Sequence, residues 1–197
     1  MILYKHGVKM KWLDHELQRQ RVVKVLKHVP ESSRVLDVGC ANGRLFTLGR
    51  SRINYGIGLD LDDSLPWLAS EFKRIIGEFP NALLEKQTFD IITMVAVLEH
   101  LPEETLLKWA HESFSRLVEG GLVIITIPSP AVDRLLAAAI KLKVLDGMDA
   151  DSHHGCSPAG IEPAFTSAGF SIKSKKRFQF GLNNLLVFEK VTDPRRD

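Results

Sequence analysis

The spacing of apolar positions changes repeatedly along the chain, and those changes divide it into elements. Leu13, Leu17, Val22, Val25, Leu26 and Val29 recur at roughly helical intervals and Pro30 follows, so residues 1–30 read as a lead-in helix. Val35, Leu36 and Val38 form a short continuous apolar run suited to a strand buried on both faces. A short helix over about 44–51 and a second strand, Tyr55 to Leu59, come next. Residues 64–88 admit two readings: one long helix carrying Trp67, Leu68, Phe72, Ile75, Ile76 and Phe79, or a helix stopping near Phe72 with a third strand beyond it. Phe89 to Val95 is a fourth strand, and Glu103 to Val118 a helix with Leu106, Leu107, Ala110, Phe114 and Leu117 on one side. Glu119-Gly120-Gly121 is expected to end that helix, and Leu122 to Ile127 to form a fifth, fully buried strand. A helix over 131–145 interrupts the alternation, so 131–155 is expected to be an inserted, lid-like segment. Ser157 and Pro158 then suit the N-cap and first turn of a last helix. Two closing strands, Ser171 to Phe178 and Leu185 to Val191, have a connection short enough for a hairpin, so one of them should be antiparallel. Strands alternating with helices predict a single doubly wound α/β domain.

The most informative stretch is Arg34 to Arg44, RVLDVGCANGR: a strand, an acid, a loop bounded by Gly39 and Gly43, and a helix start. Open α/β sheets bind nucleotides at such a place, and the glycines allow a sharp bend and a close ligand approach. The dinucleotide fingerprint has G-x-G-x-x-G, whereas here the spacing is G-x-x-x-G with Asp37 just before it. A carboxylate at that point opposes a pyrophosphate and suits a ligand with an ammonium or sulfonium group. Asp60, at the tip of the second strand, suits a pair of ribose hydroxyls, each hydrogen bond to a charged acceptor contributing roughly 1.5–3 kcal/mol. Its plainer role would be to lead Asp62, Asp63 and Ser64 into the cap of another helix.

VLDVGCANGR resembles the first motif of the class I S-adenosylmethionine-dependent methyltransferases, and FDIITMV followed by Ala96-Val97-Leu98-Glu99-His100-Leu101-Pro102 resembles their segment after strand four. The similarity covers roughly residues 34–190. It implies a Rossmann-like three-layer sandwich whose seven-stranded, mostly parallel sheet has one antiparallel strand near the C-terminus. It favours a third strand ending at Glu78. The cofactor would be S-adenosyl-L-methionine, held by Asp37, Gly39, Cys40, Ala41, Gly43, Asp60, Leu61, Glu78, Met94, Val95 and Ala96. His154 and His100 are the candidate bases for an oxygen nucleophile, although a structural role suits His100 as well. The reaction implied is in-line transfer of a methyl group; the alternative is an inactive cofactor-binding protein or partner subunit of the same fold.

Composition narrows the partners. Of 197 residues 45% are hydrophobic and 25% charged, ordinary values for a globular domain, and a net charge of +2 gives nucleic acid no support. No Asn-Pro-Pro-Tyr-like motif follows strand four, so a small-molecule acceptor is expected. The two cysteines make no disulfide framework, and no apolar run approaches the roughly 20 residues of a membrane span. A cytoplasmic monomer or homodimer is the expectation. Asp149, Asp151, His153 and His154 lie close together without a metal-ligand spacing, so no metal is expected.

Overall fold

The computed structural model describes residues 12–83, 87–129 and 158–191. Its elements are α1 (Trp12–Leu26), β1 (Ser33–Val38), α2 (Arg44–Gly49), β2 (Ile53–Asp60), β3 (Lys73–Ile76), β4 (Phe89–Val95), a 3-10 turn (Leu98–His100), α3 (Glu103–Arg116), β5 (Leu117–Pro128), α4 (Pro158–Ser167), β6 (Phe170–Phe178) and β7 (Asn183–Lys190). One seven-stranded sheet has the order β3-β2-β1-β4-β5-β7-β6. The pairs among β1 to β5 are parallel, and β7 runs antiparallel between β5 and β6. This is the α/β architecture expected, with the single reversed strand where the short closing connection placed it.

Strand alternation divides the core between two faces. Leu36, Val38, Ile92, Met94, Val123 and Ile125 pack on the face of α3 and α4, with Leu106, Trp109, Ile161 and Phe165. Val35, Ile91, Ile124 and Val187 pack on the other, against Val22, Val25 and Leu26 of α1 and Leu45 and Phe46 of α2. The Phe-Asp pair at the start of β4 anchors the sheet. Phe89 is fully buried, and Asp90 Oδ2 accepts the Arg34 amide at 2.7 Å, pinning the start of β1.

Two expectations are corrected. No helix forms between β2 and β3, so Asp62 and Ser64 cap none; Asp62 instead accepts both the Ser64 amide and hydroxyl, each at 2.8 Å, in a local turn. Pro66 disfavours helical geometry for Leu65. The Trp67 ring fills the space left by two glycines, lying 2.6 Å from where a Cβ on Gly43 would stand and 2.8 Å from one on Gly58. Phe46 meets Trp67 edge-on and stacks on Phe72, so aromatic packing takes the place of a crossover helix. The third-strand reading of 64–88 is the one realised. Secondly, Glu119-Gly120-Gly121 does not end α3, which stops at Arg116 and passes directly into β5. Gly120, at φ +71°, lies where the β4–β5 register shifts, so these glycines admit an irregularity inside the strand. The helix proposed over 131–145, the rest of 131–155, and Ser157 lie outside the described residues.

Candidate active site

The carboxyl ends of β1, β2 and β4 meet at the switch point of the sheet. The chain builds outward from β1 through β2 to β3, then crosses back to lay β4 on the other side of β1. The loop after β1 is anchored by the Leu59 carbonyl, which accepts the amides of Gly39 at 2.8 Å and Cys40 at 3.2 Å. Gly39, Ala41 and Gly43 all have left-handed backbones, at φ +75°, +48° and +78°. A side chain on Gly39 would collide with Val97, whose Cγ2 stands 2.3 Å from the ideal Cβ position. Ala41 adopts the same region without glycine's freedom; strain of that kind costs of order 1–3 kcal/mol and clusters at binding sites.

That strain is offset by Asp60. The Ala41 amide donates to its Oδ2 at 2.7 Å and the Asp62 amide to its Oδ1 at 3.0 Å. Both carboxylate oxygens are thus fixed in direction, and each keeps capacity for a further donor, since an ionised carboxylate has about four acceptor sites. The Gly77 amide donates to the Asp60 carbonyl at 2.8 Å, bringing exposed Glu78 beside the tip of β2. Leu61, next to Asp60, is 57% exposed.

Asp37 lies beneath the loop, 3% exposed, and accepts the Thr93 hydroxyl at 2.7 Å. Burial raises its pKa to about 7; the Thr93 bond works against that rise and the charge of Asp60 adds to it. Burial likewise pushes the Cys40 thiol well above its ordinary range. A buried thiol of that kind is inert as a nucleophile, so Cys40 contributes volume beside Gly58 and a backbone amide to the loop.

Beyond β4, half-buried Val95 and Ala96 reach the open edge. Ala96 is held at φ +56°, its amide donating to the Thr126 carbonyl at 2.9 Å. Met94, just before them on β4, is fully buried and packs in the core on the α3 face. In the 3-10 turn two neighbours face opposite ways. His100 is exposed, whereas Glu99 is turned inward, 8% exposed. Burial lifts the Glu99 carboxyl to about 7, opposed by its own backbone contact and by the charge of Arg21 on α1. Nothing in the local sequence separates Glu99 from His100; the distinguishing partner, Arg21, belongs to an element far back in the chain. His154 lies outside the described residues. Among the described residues no group of His, Cys, Asp and Glu is arranged to hold a metal ion, and no helix is long and apolar enough to cross a membrane.

A glycine loop curled around a fixed acid at the switch point of an open parallel sheet defines a nucleoside-binding α/β protein. The carboxylate under the loop adds a preference for a cationic ligand. Residues 10–175 match the methyltransferase domain family, and the chain belongs to it. The residues of the loop suit S-adenosylmethionine: a cradle of three left-handed residues, a fixed acid and a buried carboxyl. The fold is shared with a magnesium protoporphyrin IX methyltransferase from Synechocystis PCC 6803, solved with bound S-adenosylhomocysteine. The TM-score is 0.69 at 17% identity, over 95% of this chain and 90% of that one. A methyltransferase from Archaeoglobus fulgidus superimposes with a TM-score of 0.70 at 16% identity, over 89% and 94% of the two chains. A tRNA (carboxymethyluridine(34)-5-O)-methyltransferase from Arabidopsis thaliana is 32% identical over 110 residues, which are 54% of this chain and 27% of that protein. The matched stretch thus spans about a quarter of that relative.

Proposed function

We propose that this chain transfers the methyl group of S-adenosylmethionine to a small polar acceptor by in-line displacement. The observation that carries the cofactor half of this reading is Asp60, whose two oxygens are aimed by amides of the glycine loop and of its own turn. Asp60 would hold the ribose hydroxyls, with Leu61 and Glu78 on the adenine side. Gly39, Cys40, Ala41 and Gly43 would let the ligand approach the backbone, Asp37 would face its cationic tail, and Val95 and Ala96 would line the reacting end. The sulfonium supplies an activated methyl group and a neutral leaving group. The chain's own contribution is alignment and exclusion of water, and alignment can supply several kcal/mol of a barrier. His154 or His100 would take a proton from an oxygen acceptor. The absence of a disulfide framework suits the cytoplasm.

Thermal unfolding with S-adenosylmethionine, S-adenosylhomocysteine and NAD, repeated on Asp60→Ala, tests the cofactor assignment. At about 100 times its dissociation constant a ligand stabilises by roughly 2.7 kcal/mol, a rise of roughly 5–10 °C for a chain of this size. The rise should appear with both sulfur ligands and vanish in Asp60→Ala. No rise, or one with NAD alone, overturns the assignment.

A second reading, an RNA acceptor, is favoured by the similarity to the plant tRNA methyltransferase. Transfer of tritiated methyl groups, scored separately in the low-molecular-weight and tRNA fractions of a cell extract, decides between the two. Label confined to tRNA would replace the small-molecule reading.

A further inference from the structure

The turn joining β6 to β7 carries a side chain that no packing among the described residues accounts for. The Gly181 amide donates to the Phe178 carbonyl at 3.1 Å, closing a tight turn. Its two central residues, Gln179 and Phe180, are both left-handed, at φ +50° and +56°. Hairpin turns of this hand favour asparagine and glycine there, and such a backbone is rare for a bulky residue. Phe180 occupies the place nonetheless, and it is fully exposed. Neither the backbone nor the core gains from the ring.

The turn is braced from both sides. Gln179 Nε2 donates to the Leu17 carbonyl at 3.0 Å and to Gln20 Oε1 at 3.2 Å on α1, and Gln179 Oε1 accepts Asn183 Nδ2 at 2.6 Å. The Leu182 carbonyl accepts the Ser129 amide at 2.8 Å. Phe178 pairs with Asn183, and Asn183 with Pro128 at the end of β5. The turn therefore lies at the carboxyl edge of the sheet, the edge that carries the cofactor site. β7 is two strands from β4, or roughly 10 Å at the usual spacing.

The strand that leads to this turn is basic. Lys173, Lys175, Lys176 and Arg177 are all exposed. Lysine on an edge strand ordinarily guards against edge pairing, and Lys173 and Lys175 are further engaged by Glu189 and Glu162. Lys176 and Arg177 have no ion pair among the described residues. Their field reaches the end of α1, where burial lowers the His28 pKa and Lys176 and Lys173 lower it further. Two unpaired cations thus stand within four residues of an exposed ring.

An aromatic platform beside cations complements a single-stranded nucleic acid, whose bases stack and whose phosphates pair. A duplex keeps its base faces covered and offers the ring nothing. One ring is a complete platform for one base, whereas membrane binding scales with buried apolar area and one ring supplies little. We propose that β6 and its turn bind single-stranded RNA, with Phe180 stacking on a base and Lys176 and Arg177 contacting flanking phosphates. The overall charge of +2 conceals this local concentration. The inference deepens the RNA reading of the acceptor and rests on it for the choice of RNA over DNA.

Fluorescence anisotropy of the full chain tests it, with a dye-labelled single-stranded RNA of about twelve nucleotides and the same sequence annealed into a duplex. The single strand should bind roughly fivefold or more tighter than the duplex. Its affinity should fall as salt rises, and the logarithmic slope should shrink by roughly 0.7 in each of Lys176→Gln and Arg177→Gln. Phe180→Gly should weaken binding roughly fivefold or more and leave that slope unchanged. Glycine suits a left-handed turn, so the thermal midpoint of Phe180→Gly should not drop. Lys108→Gln, on α3, should leave RNA binding unaltered. If the single strand fails to bind, or binds the three variants of β6 and its turn as tightly as the unaltered chain, the assignment is wrong. Sedimentation with vesicles of phosphatidylcholine and phosphatidylserine, lost in Phe180→Gly and without RNA binding, would replace RNA by a membrane. Failure of the unaltered chain to bind S-adenosylhomocysteine in calorimetry would instead remove the methyltransferase reading and leave the RNA measurements standing.

Discussion

Among single residues, Asp37 carries the sharpest consequence. Its carboxyl is raised to about 7, chiefly by burial, in spite of the Thr93 hydrogen bond. An ammonium group held nearby favours the ionised form and draws that pKa back down. Binding at pH 6 must therefore expel a proton that is already absent at pH 8. Affinity for S-adenosylhomocysteine should rise roughly tenfold across that interval by linkage. Calorimetry in two buffers of different ionisation enthalpy should register proton release at pH 6. Asp37→Asn should bind weakly at both pH values with no proton release. A flat profile in the unaltered chain would mean that Asp37 does not face the cationic end of the ligand.

At the level of elements, the turn after β1 and the segment after β4 are locked together through Gly39 and Val97. Gly39→Ala would force an L side chain into a left-handed backbone, costing about 1–2 kcal/mol, and onto the Val97 methyl, costing about 1–3 kcal/mol more. Val97→Ala in the same chain removes the collision and leaves the backbone strain. A double-mutant cycle by urea unfolding should give a favourable coupling of roughly 1–2 kcal/mol; strict additivity would show that the collision is relieved elsewhere. The glycines of this loop were legible in the sequence because a sharp turn beside a ligand has few solutions, and Asp60 was legible from its place at the tip of the next strand. The missing helix between β2 and β3 was not, because Trp67 is held by Gly43, Gly58 and Phe46 from other elements rather than by its own neighbours. Helical periodicity in 64–79 arises there from side chains that pack without a helix. The inward setting of Glu99 was not legible for a similar reason, as it depends on α1.

For the whole molecule, the two inward-facing carboxyls set how stability depends on pH. Asp37 and Glu99 are both raised to about 7 from ordinary values of 3.8 and 4.5. Between the ordinary and raised values the folded chain holds protons that the unfolded chain has released, so stability is greatest at the acid end of that window and falls as pH rises to about 7. The change is up to about 4 kcal/mol for Asp37 and about 3 kcal/mol for Glu99. His28, lowered mainly by burial and further by Lys176 and Lys173, acts in the opposite direction near its own titration. The comparison must therefore be made against Asp37→Asn/Glu99→Gln, which keeps His28 unchanged. Urea midpoints at pH 5, 6 and 7.5 should decline steadily in the unaltered chain, and the difference from the double variant should grow toward pH 7.5. Saturating S-adenosylhomocysteine should flatten the Asp37 part of the decline and leave the Glu99 part. The ligand's ammonium then stabilises the ionised Asp37, while Glu99 answers only to what sits beneath α1. Equal slopes in the unaltered and doubly substituted chains would show that neither carboxyl is held protonated in the fold.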